Sequence, residues 1–507
     1  MEKQIKLQHT RALRAKLNIV FSLVSQAAAL VCGFIVPRLL INTFGSEAYG
    51  ATASILQFLS YIVLLEGGIG GVARAVLYKP LAQRDFTQIT QMINEVKCLF
   101  RIIGCIFAVY VLIIACGFKS ISHFQYYDWA ATFVLVIVIS LSTFAQYFLG
   151  ISYILLLQAD QKSYITHTIN TVALILSTIL VVWLVHTGCG LITVKFVSAL
   201  VFVLRPVVMY FYVRNHYPLV PHCPRDKSVL AQKWSGLGQH IAFFLHTNTD
   251  VVILTLCANL KVVAVYAVYN MITTQIERII TSFTTGMEAL FGDMLARQEI
   301  AALNRVFGYY ETLISCIALP LCSVTLLLIV PFVKLYTSQV TDANYVQPLF
   351  AAILVISVFV YCLRAPYHAL VIAAGHFKQT QGAAYAEAFL NMGLSILLVY
   401  SLGLVGVALG TLCAVLFRFG YYVFYLSRTL IQRPVQLFVK RCMCNVLAFV
   451  GIVAVGYAGL KGQTLHNYFQ WALAGGILTL VAGGITGVVF YLFYRQDFKF
   501  IFKRLKI

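Results

Sequence analysis

The sequence predicts an all-α polytopic membrane protein of fourteen transmembrane helices, and three observations carry that expectation. The first is composition: of 507 residues, 61% are hydrophobic and 11% charged, against roughly 45–50% apolar and about 25% charged in soluble domains. The second is a series of apolar runs long enough to span, since a spanning helix needs about 20 residues and must satisfy its own backbone hydrogen bonds. The third is a one-sided distribution of charge between the loops. The 37 Lys and Arg exceed the 17 Asp and Glu to give a formal charge of +20. That excess is too sparsely spread to make a nucleic-acid face, and the apolar runs are too long for a water-soluble core. Soluble enzymes, secreted disulfide scaffolds and nucleic-acid binders are excluded, and no nucleic-acid partner is expected.

The fourteen runs lie at 17–41, 49–73, 98–117, 129–156, 166–186, 190–214, 238–258, 262–286, 307–331, 346–373, 379–401, 403–428, 440–460 and 468–494. With the N-terminus in the cytoplasm and spans alternating, cytoplasmic segments collect 28 basic residues. The opposite loops hold only Lys119, Lys261, Lys334 and Lys461. This is the positive-inside pattern, so both termini are expected to be cytoplasmic. The first sixteen residues carry charge without an apolar stretch or a small-residue cleavage site, which argues against a cleaved signal peptide. The thirteen cysteines are scattered through the spans, and the lone C-x-C of Cys442 and Cys444 reads as packing rather than metal binding.

Two cytoplasmic loops look alike. Leu81-Ala82-Gln83-Arg84-Asp85-Phe86 is matched 214 residues later by Leu295-Ala296-Arg297-Gln298-Glu299-Ile300. Each continues with apolar residues at helical spacing, the pattern of an amphipathic helix at a membrane surface. Six spans separate the copies, so the repeat is parallel, related by an axis along the membrane normal. The expected division is an N-terminal lobe over 1–218, a C-terminal lobe over 219–430 and a further helix pair over 431–507. Two six-helix lobes facing a central cavity suit alternating access, which points to a transporter rather than a receptor or enzyme.

Ionisable groups inside spans are the functional candidates, because each costs at least ~2.5–3.5 kcal/mol to insert. The basic set is Arg38, Lys195, Arg205, Arg364 and Arg418; the acidic set is Glu66, Asp250, Glu277, Glu311 and Glu387. Equal numbers leave mutual pairing open for several of them. Lys195, Glu311 and Arg418 lie close enough to span ends to snorkel, and Glu277 adjoins Arg278. Asp250 sits near the bilayer middle behind His246, Thr247, Asn248 and Thr249, so its helix cannot face lipid. It is a candidate for substrate or coupling-ion binding, against a purely structural hydrogen-bonding role. Three arginines adjoin prolines, in Pro37-Arg38, Arg205-Pro206 and Arg364-Ala365-Pro366. A guanidinium fork beside a kink suits a phosphate, or it serves carbonyls freed by the kink. P-loop, H-E-x-x-H and G-x-S-x-G motifs are absent. No cofactor is expected, and the choice of coupling ion, H⁺ or Na⁺, stays open.

The run Arg38-Leu39-Leu40, Phe44 to Gly50, Leu65-Glu66-Gly67-Gly68-Ile69-Gly70 and Arg74 resembles the first helix pair of the Wzx-type polysaccharide flippases. These belong to the multidrug/oligosaccharidyl-lipid/polysaccharide exporter (MOP) superfamily. Asn248 to Leu254 followed by Val263 to Tyr269 resembles the D-x-x-I/L-I/L stretch that opens the second lobe in that family. The resemblance implies a bacterial inner-membrane flippase that carries undecaprenyl-diphosphate-linked oligosaccharide from the cytoplasmic to the periplasmic leaflet. Arg38 and Arg74 match the family motif; Arg205, Arg364 and Asn248 join them as substrate-binding candidates from the cavity argument. Asp250, Glu66 and Glu387 are the ion-coupling candidates, although Glu66 stands where Asp is commoner. Membrane lipids, and a polysaccharide polymerase acting alongside, are the expected partners of a monomer. The competing readings are an ion-coupled drug or metabolite exporter of the same superfamily and a membrane polysaccharide polymerase or transferase.

Overall fold

A computed structural model describes residues 2–66, 69–220, 237–431 and 433–495, and every regular element among them is helical. In chain order these are α1 (Glu2–Ser60), α2 (Val63–Glu66), α3 (Ile69–Gln83), α4 (Phe86–Ser122) and α5 (Trp129–Ala145). A π-helical turn, Gln146–Gly150, joins α5 to α6 (Ile151–Ala159), and α7 (Ser163–His186) and α8 (Leu191–His216) follow. Then come α9 (Leu237–Cys257), α10 (Leu260–Ala296), α11 (Ile300–Tyr336) and α12 (Pro348–Ala373). The chain continues through α13 (Phe377–Leu402), α14 (Leu404–Arg428), α15 (Val435–Leu460) and α16 (Tyr468–Phe493).

Eleven helical segments among the described residues are long and apolar enough to cross a membrane. The difference from fourteen has a physical origin at two places. The expected span 17–41 and most of 49–73 fall within one such segment, Lys16–Glu66, and the last residues of the second lie in α3. The expected spans 238–258 and 262–286 are helical as α9 and α10 but lie outside the eleven. The first carries Thr247-Asn248-Thr249-Asp250, and the second carries Asn270, Thr273, Thr274, Gln275, Glu277 and Arg278. In α9 the stretch Thr247–Cys257 is apolar but short of a span among the described residues, while α10 is too polar for a lipid-facing window, which suits a helix that buries a polar stripe in protein.

Within α1 the backbone leaves helical geometry at Gly45, with φ 83° and ψ 170°. That combination is accessible in practice only to glycine, so Gly45 is where two helices meet end to end. The residues beyond it, Ala48, Ala51 and Ile55, are fully buried in an apolar cluster with Phe100 and Phe107 of α4 and Leu135 of α5.

The repeated loops adopt the same backbone. Arg84 and Gln298, 214 residues apart, are both left-handed, at φ 56° and 58°. Asp85 N–H donates to Pro80 O at 3.0 Å, and Glu299 N–H donates to Met294 O at 3.0 Å. A second pair at the same offset, Gln161 and Gly375, is left-handed at φ 58° and 68°, with Lys162 N–H to Leu157 O and His376 N–H to Val371 O closing each turn. The amphipathic stretches after the first pair are not separate surface helices. They are the first turns of α4 and α11, each 37 residues long, and Ile89, Ile93, Leu303 and Phe307 on them are buried.

The chain forms two compact units: residues 1–241 with 259–264, and residues 242–258 with 265–507. In the first, Asp160 gathers Arg14 at 3.3 Å, Lys162 at 2.7 Å and the Tyr217 hydroxyl at 2.5 Å, fastening α1 to the α6–α7 turn. In the second, α15 and α16 pack on α11. Asn445 donates to Ser315 Oγ at 3.1 Å and the Trp471 indole to Leu328 O at 3.0 Å, so the final helix pair is integral to that unit.

The Gly45 geometry makes a direct prediction. Gly45→Ala should destabilise the protein by about 1–3 kcal/mol, seen as a lower melting temperature. Gly33→Ala, where an added Cβ meets nothing within 4 Å, should not.

Candidate functional site

The polar interior of the second unit is built on α13 and α14. On α13, Glu387, Asn391 and Ser395 recur at every fourth residue, which places them on one face of a helix; all three are buried. On α14, Thr411 and Arg418 look toward the same seam. The two helices approach closely because Gly406 and Gly410 have no side chain: a Cβ on Gly410 would lie 2.4 Å from Ser395 Oγ.

Asp250, on α9, reaches into this seam and is 6% exposed. Its Oδ2 accepts from the Tyr266 hydroxyl at 3.0 Å and from Thr411 Oγ1 at 2.9 Å, and its Oδ1 accepts from Asn391 Nδ2 at 3.3 Å. Thr411 and Ser395 also lie 3.2 Å from Asn391 Oδ1, and both approach Val407 O, at 3.2 and 3.3 Å. The result is a nest of oxygens from Asp250, Asn391, Thr411, Ser395, Tyr266 and the Val407 carbonyl. Among the described residues Asp250 faces only neutral donors and no basic side chain. A carboxylate so placed is stabilised by a proton or by a hard monovalent cation, for which oxygen donors are the suitable ligands. Among the described residues no group of three or more His, Cys, Asp or Glu is arranged to hold a metal ion.

One turn along the seam, the Glu387 carboxylate takes a direct hydrogen-bonded ion pair from Arg364 of α12, and Arg418 Nε lies 3.8 Å from its other oxygen. Arg418 also donates to Thr380 O at 3.2 Å and to the Tyr422 hydroxyl at 2.8 Å, and Tyr422 is 3.0 Å from His368 Nδ1. Arg364 and Glu387, expected to serve substrate and ion separately, are therefore partners of one another. Arg418 does not snorkel: it is 2% exposed and spends its donors inside the unit. Glu311 is also buried rather than snorkelling. Arg433 grips it with both terminal nitrogens, at 2.7 and 3.0 Å, Arg441 approaches at 3.1 Å, and Tyr367 donates to it.

The remaining sequence candidates lie apart from this seam. Asn248 donates to Phe244 O at 2.9 Å and to Thr247 Oγ1 at 2.8 Å, so it serves its own helix. In the first unit Arg38 is half-buried on α1 beside Pro37, and Arg74 on α3 donates to Gln158 at 3.0 Å. Arg205 on α8 precedes Pro206, whose missing N–H leaves the Phe202 carbonyl without its helical donor. Arg205 Nε donates to that carbonyl at 3.3 Å, and Nη1 reaches Asn170 at 3.3 Å. Of the two roles open to a proline-adjacent arginine, this contact is the kink-satisfying one. Glu66 accepts from Tyr147. Asn391, Thr411, Tyr266 and Tyr147 are not among the sequence candidates. The fourth-residue recurrence of polar groups in 387–395 was the available signal for the first of these.

Removing the acid from the buried triad should be costly. Glu387→Gln leaves two guanidinium groups without their carboxylate and should destabilise by about 3–5 kcal/mol, read as a fall in melting temperature. Combining it with Arg364→Gln should cost less than the sum of the single changes, because they share one interaction.

No protein-family model matches the sequence, and no curated protein matches it. The structure, however, is similar to several solved transporters. The lipid II flippase MurJ, in an inward closed conformation, matches with a TM-score of 0.71 and 14% identity, over 93% of this chain and 99% of MurJ. An inward-facing multidrug resistance MATE family transporter of the MOP superfamily matches with a TM-score of 0.58 and 15% identity, over 78% of this chain and 94% of its own. A MOP superfamily transporter from Pyrococcus furiosus matches with a TM-score of 0.54 and 14% identity, over 82% and 95%. At such low identity these likenesses establish the fold: the chain has the architecture shared by MurJ and the MATE transporters of the MOP superfamily.

Proposed function

We propose that the protein is a flippase moving an undecaprenyl-diphosphate-linked oligosaccharide, an O-antigen or capsular repeat unit, from the cytoplasmic to the periplasmic leaflet of a bacterial inner membrane. It works by alternating access, drawing on an ion gradient or the membrane potential. The observation that carries this reading over drug export is coverage. The MATE transporter accounts for 78% of this chain with 94% of its own length, while the lipid flippase accounts for 93% with 99%. The family-like motif around Arg38, Glu66 and Arg74 supports the same choice.

Diphosphate recognition falls to Arg38 and Arg74, which match the motif; guanidinium forks bind phosphate oxygens in pairs. Arg205 supports that site indirectly, through the kink in α8. Asp250, with Asn391 and Thr411, is the coupling-ion site for H⁺ or Na⁺. The partners are the lipid-linked oligosaccharide, the surrounding lipids and a polysaccharide polymerase, with the flippase acting as a monomer.

In a host whose surface polysaccharide depends on this gene, Arg38→Ala and Arg74→Ala should each abolish surface polysaccharide at unchanged protein level. Lipid-linked repeat units should accumulate on the cytoplasmic side. Normal polysaccharide in both variants, or drug sensitivity without a polysaccharide defect on deletion, would favour the exporter reading.

A further inference from the structure

Helices α4 (Phe86–Ser122) and α11 (Ile300–Tyr336) begin and end at the same 214-residue offset, so their positions correspond one to one. On α11 Glu311 and Ser315 form the dock for α15. Arg433 and Arg441 reach Glu311 at 2.7 and 3.1 Å, Tyr367 donates to it, and Asn445 donates to Ser315 at 3.1 Å. The equivalents in the first unit are Lys97 and Arg101 on α4 and Tyr153 on α6. The tyrosine is kept, and Lys97 Nζ stands 4.5 Å from the centre of its ring. The charge is inverted: a carboxylate between arginines is replaced by two cations one turn apart, close enough to repel one another. Among the described residues neither cation forms an ion pair with a carboxylate. Asp160 is taken up by Arg14 and Lys162. Glu95 precedes Lys97 by two residues, about 200° round the helix, and its buried Oε2 has no hydrogen-bond partner.

We infer that Lys97 and Arg101 bind the phosphate of an anionic phospholipid, at the place where the second unit seats α15. Depth supports a lipid. The apolar run 98–117 begins beside Lys97, and the stretch from Arg101 to Ser122 is about 32 Å long at 1.5 Å per residue. That is close to the ~30 Å of a hydrocarbon core, so the two cations stand at a membrane boundary, level with lipid phosphates. Arg101 is exposed, and the same face of α4 continues with exposed Cys105, Val109 and Leu112, an apolar track for an acyl chain. The guanidinium binds phosphate oxygens in pairs and the ammonium adds a point charge. A bound phosphate relieves the repulsion between the cations and keeps Lys97 over Tyr153, so it seats α4 on α6. The same charges disfavour a second copy's α15, which would bring Arg433 and Arg441 to this place. The inference needs the membrane-spanning fold and not the flippase reading.

The test uses the full chain, delipidated in a neutral detergent, with phosphatidylglycerol or phosphatidylcholine of the same acyl chains added. Native mass spectrometry counts the lipid retained, and the melting temperature reports its effect on the fold. Wild type should retain phosphatidylglycerol in preference to phosphatidylcholine and melt higher with it. The affinity for the first phosphatidylglycerol should fall about fivefold in each of Lys97→Gln and Arg101→Gln. Arg297→Gln, which removes an exposed cation elsewhere, should leave it unchanged. Equal retention of the two lipids by wild type would mean that the cations face water or a partner protein's carboxylate, and overturns the proposal. So does an unchanged affinity in Arg101→Gln, which decides alone if Lys97→Gln does not fold. A melting shift as large with inorganic phosphate as with phosphatidylglycerol overturns the lipid assignment in favour of a free anion.

Discussion

Taking an ion out of water into a helix bundle costs several kcal/mol, and the cost is recovered only where good partners surround it. In the second unit this requirement decides what touches what. Glu387 stands between Arg364 and Arg418, and Glu311 stands between Arg433 and Arg441. These contacts join α12, α13 and α14 in one case and α11 and α15 in the other, so the helices are positioned by charge as well as by apolar packing. Between helices in lipid, where apolar attraction contributes little, such polar contacts and close glycine approaches carry more of the specificity.

Asp250 is the exception that gives the unit its chemistry. It is as buried as Glu387 but meets hydroxyl and amide donors instead of guanidinium groups. A polar nest of this kind gives the carboxylate neutral donors without a counter-charge among the described residues. Glu387 and Asn391 lie one turn apart on α13. Occupancy at Asp250 would therefore be felt along the helix that also carries the ion-paired triad, a short route from an ion to the packing of the unit.

The membrane class and most helix positions were legible in hydropathy and loop charge, because those signals depend only on the contrast between lipid and water. The 214-residue repeat was legible too, and the matching left-handed turns at Arg84 and Gln298 give it a backbone form. What could not be read was partnership. Arg364 and Glu387 are 23 residues apart and were given separate roles, since nothing in a linear sequence says which buried charges meet. Arg205 shows a subtler case: the proline beside it suggested either a ligand or a carbonyl donor, and only the Phe202 contact distinguishes them. The π turn carrying Tyr147 had no sequence signal, because one extra residue in a helical turn leaves the apolar pattern almost unchanged.

Asp250 is proposed as the point where a coupling ion meets the fold. Its most direct test is the melting temperature of the full chain, in wild type and Asp250→Asn, titrated with Na⁺ at constant ionic strength and separately with acid. A ligand that binds the folded state alone stabilises it by about 2.7 kcal/mol at a hundredfold excess over its dissociation constant. The wild type should gain stability with Na⁺ or as Asp250 takes up protons, and Asp250→Asn should show no gain with that ion and start from a higher ion-free value. An undiminished response in Asp250→Asn would contradict the account.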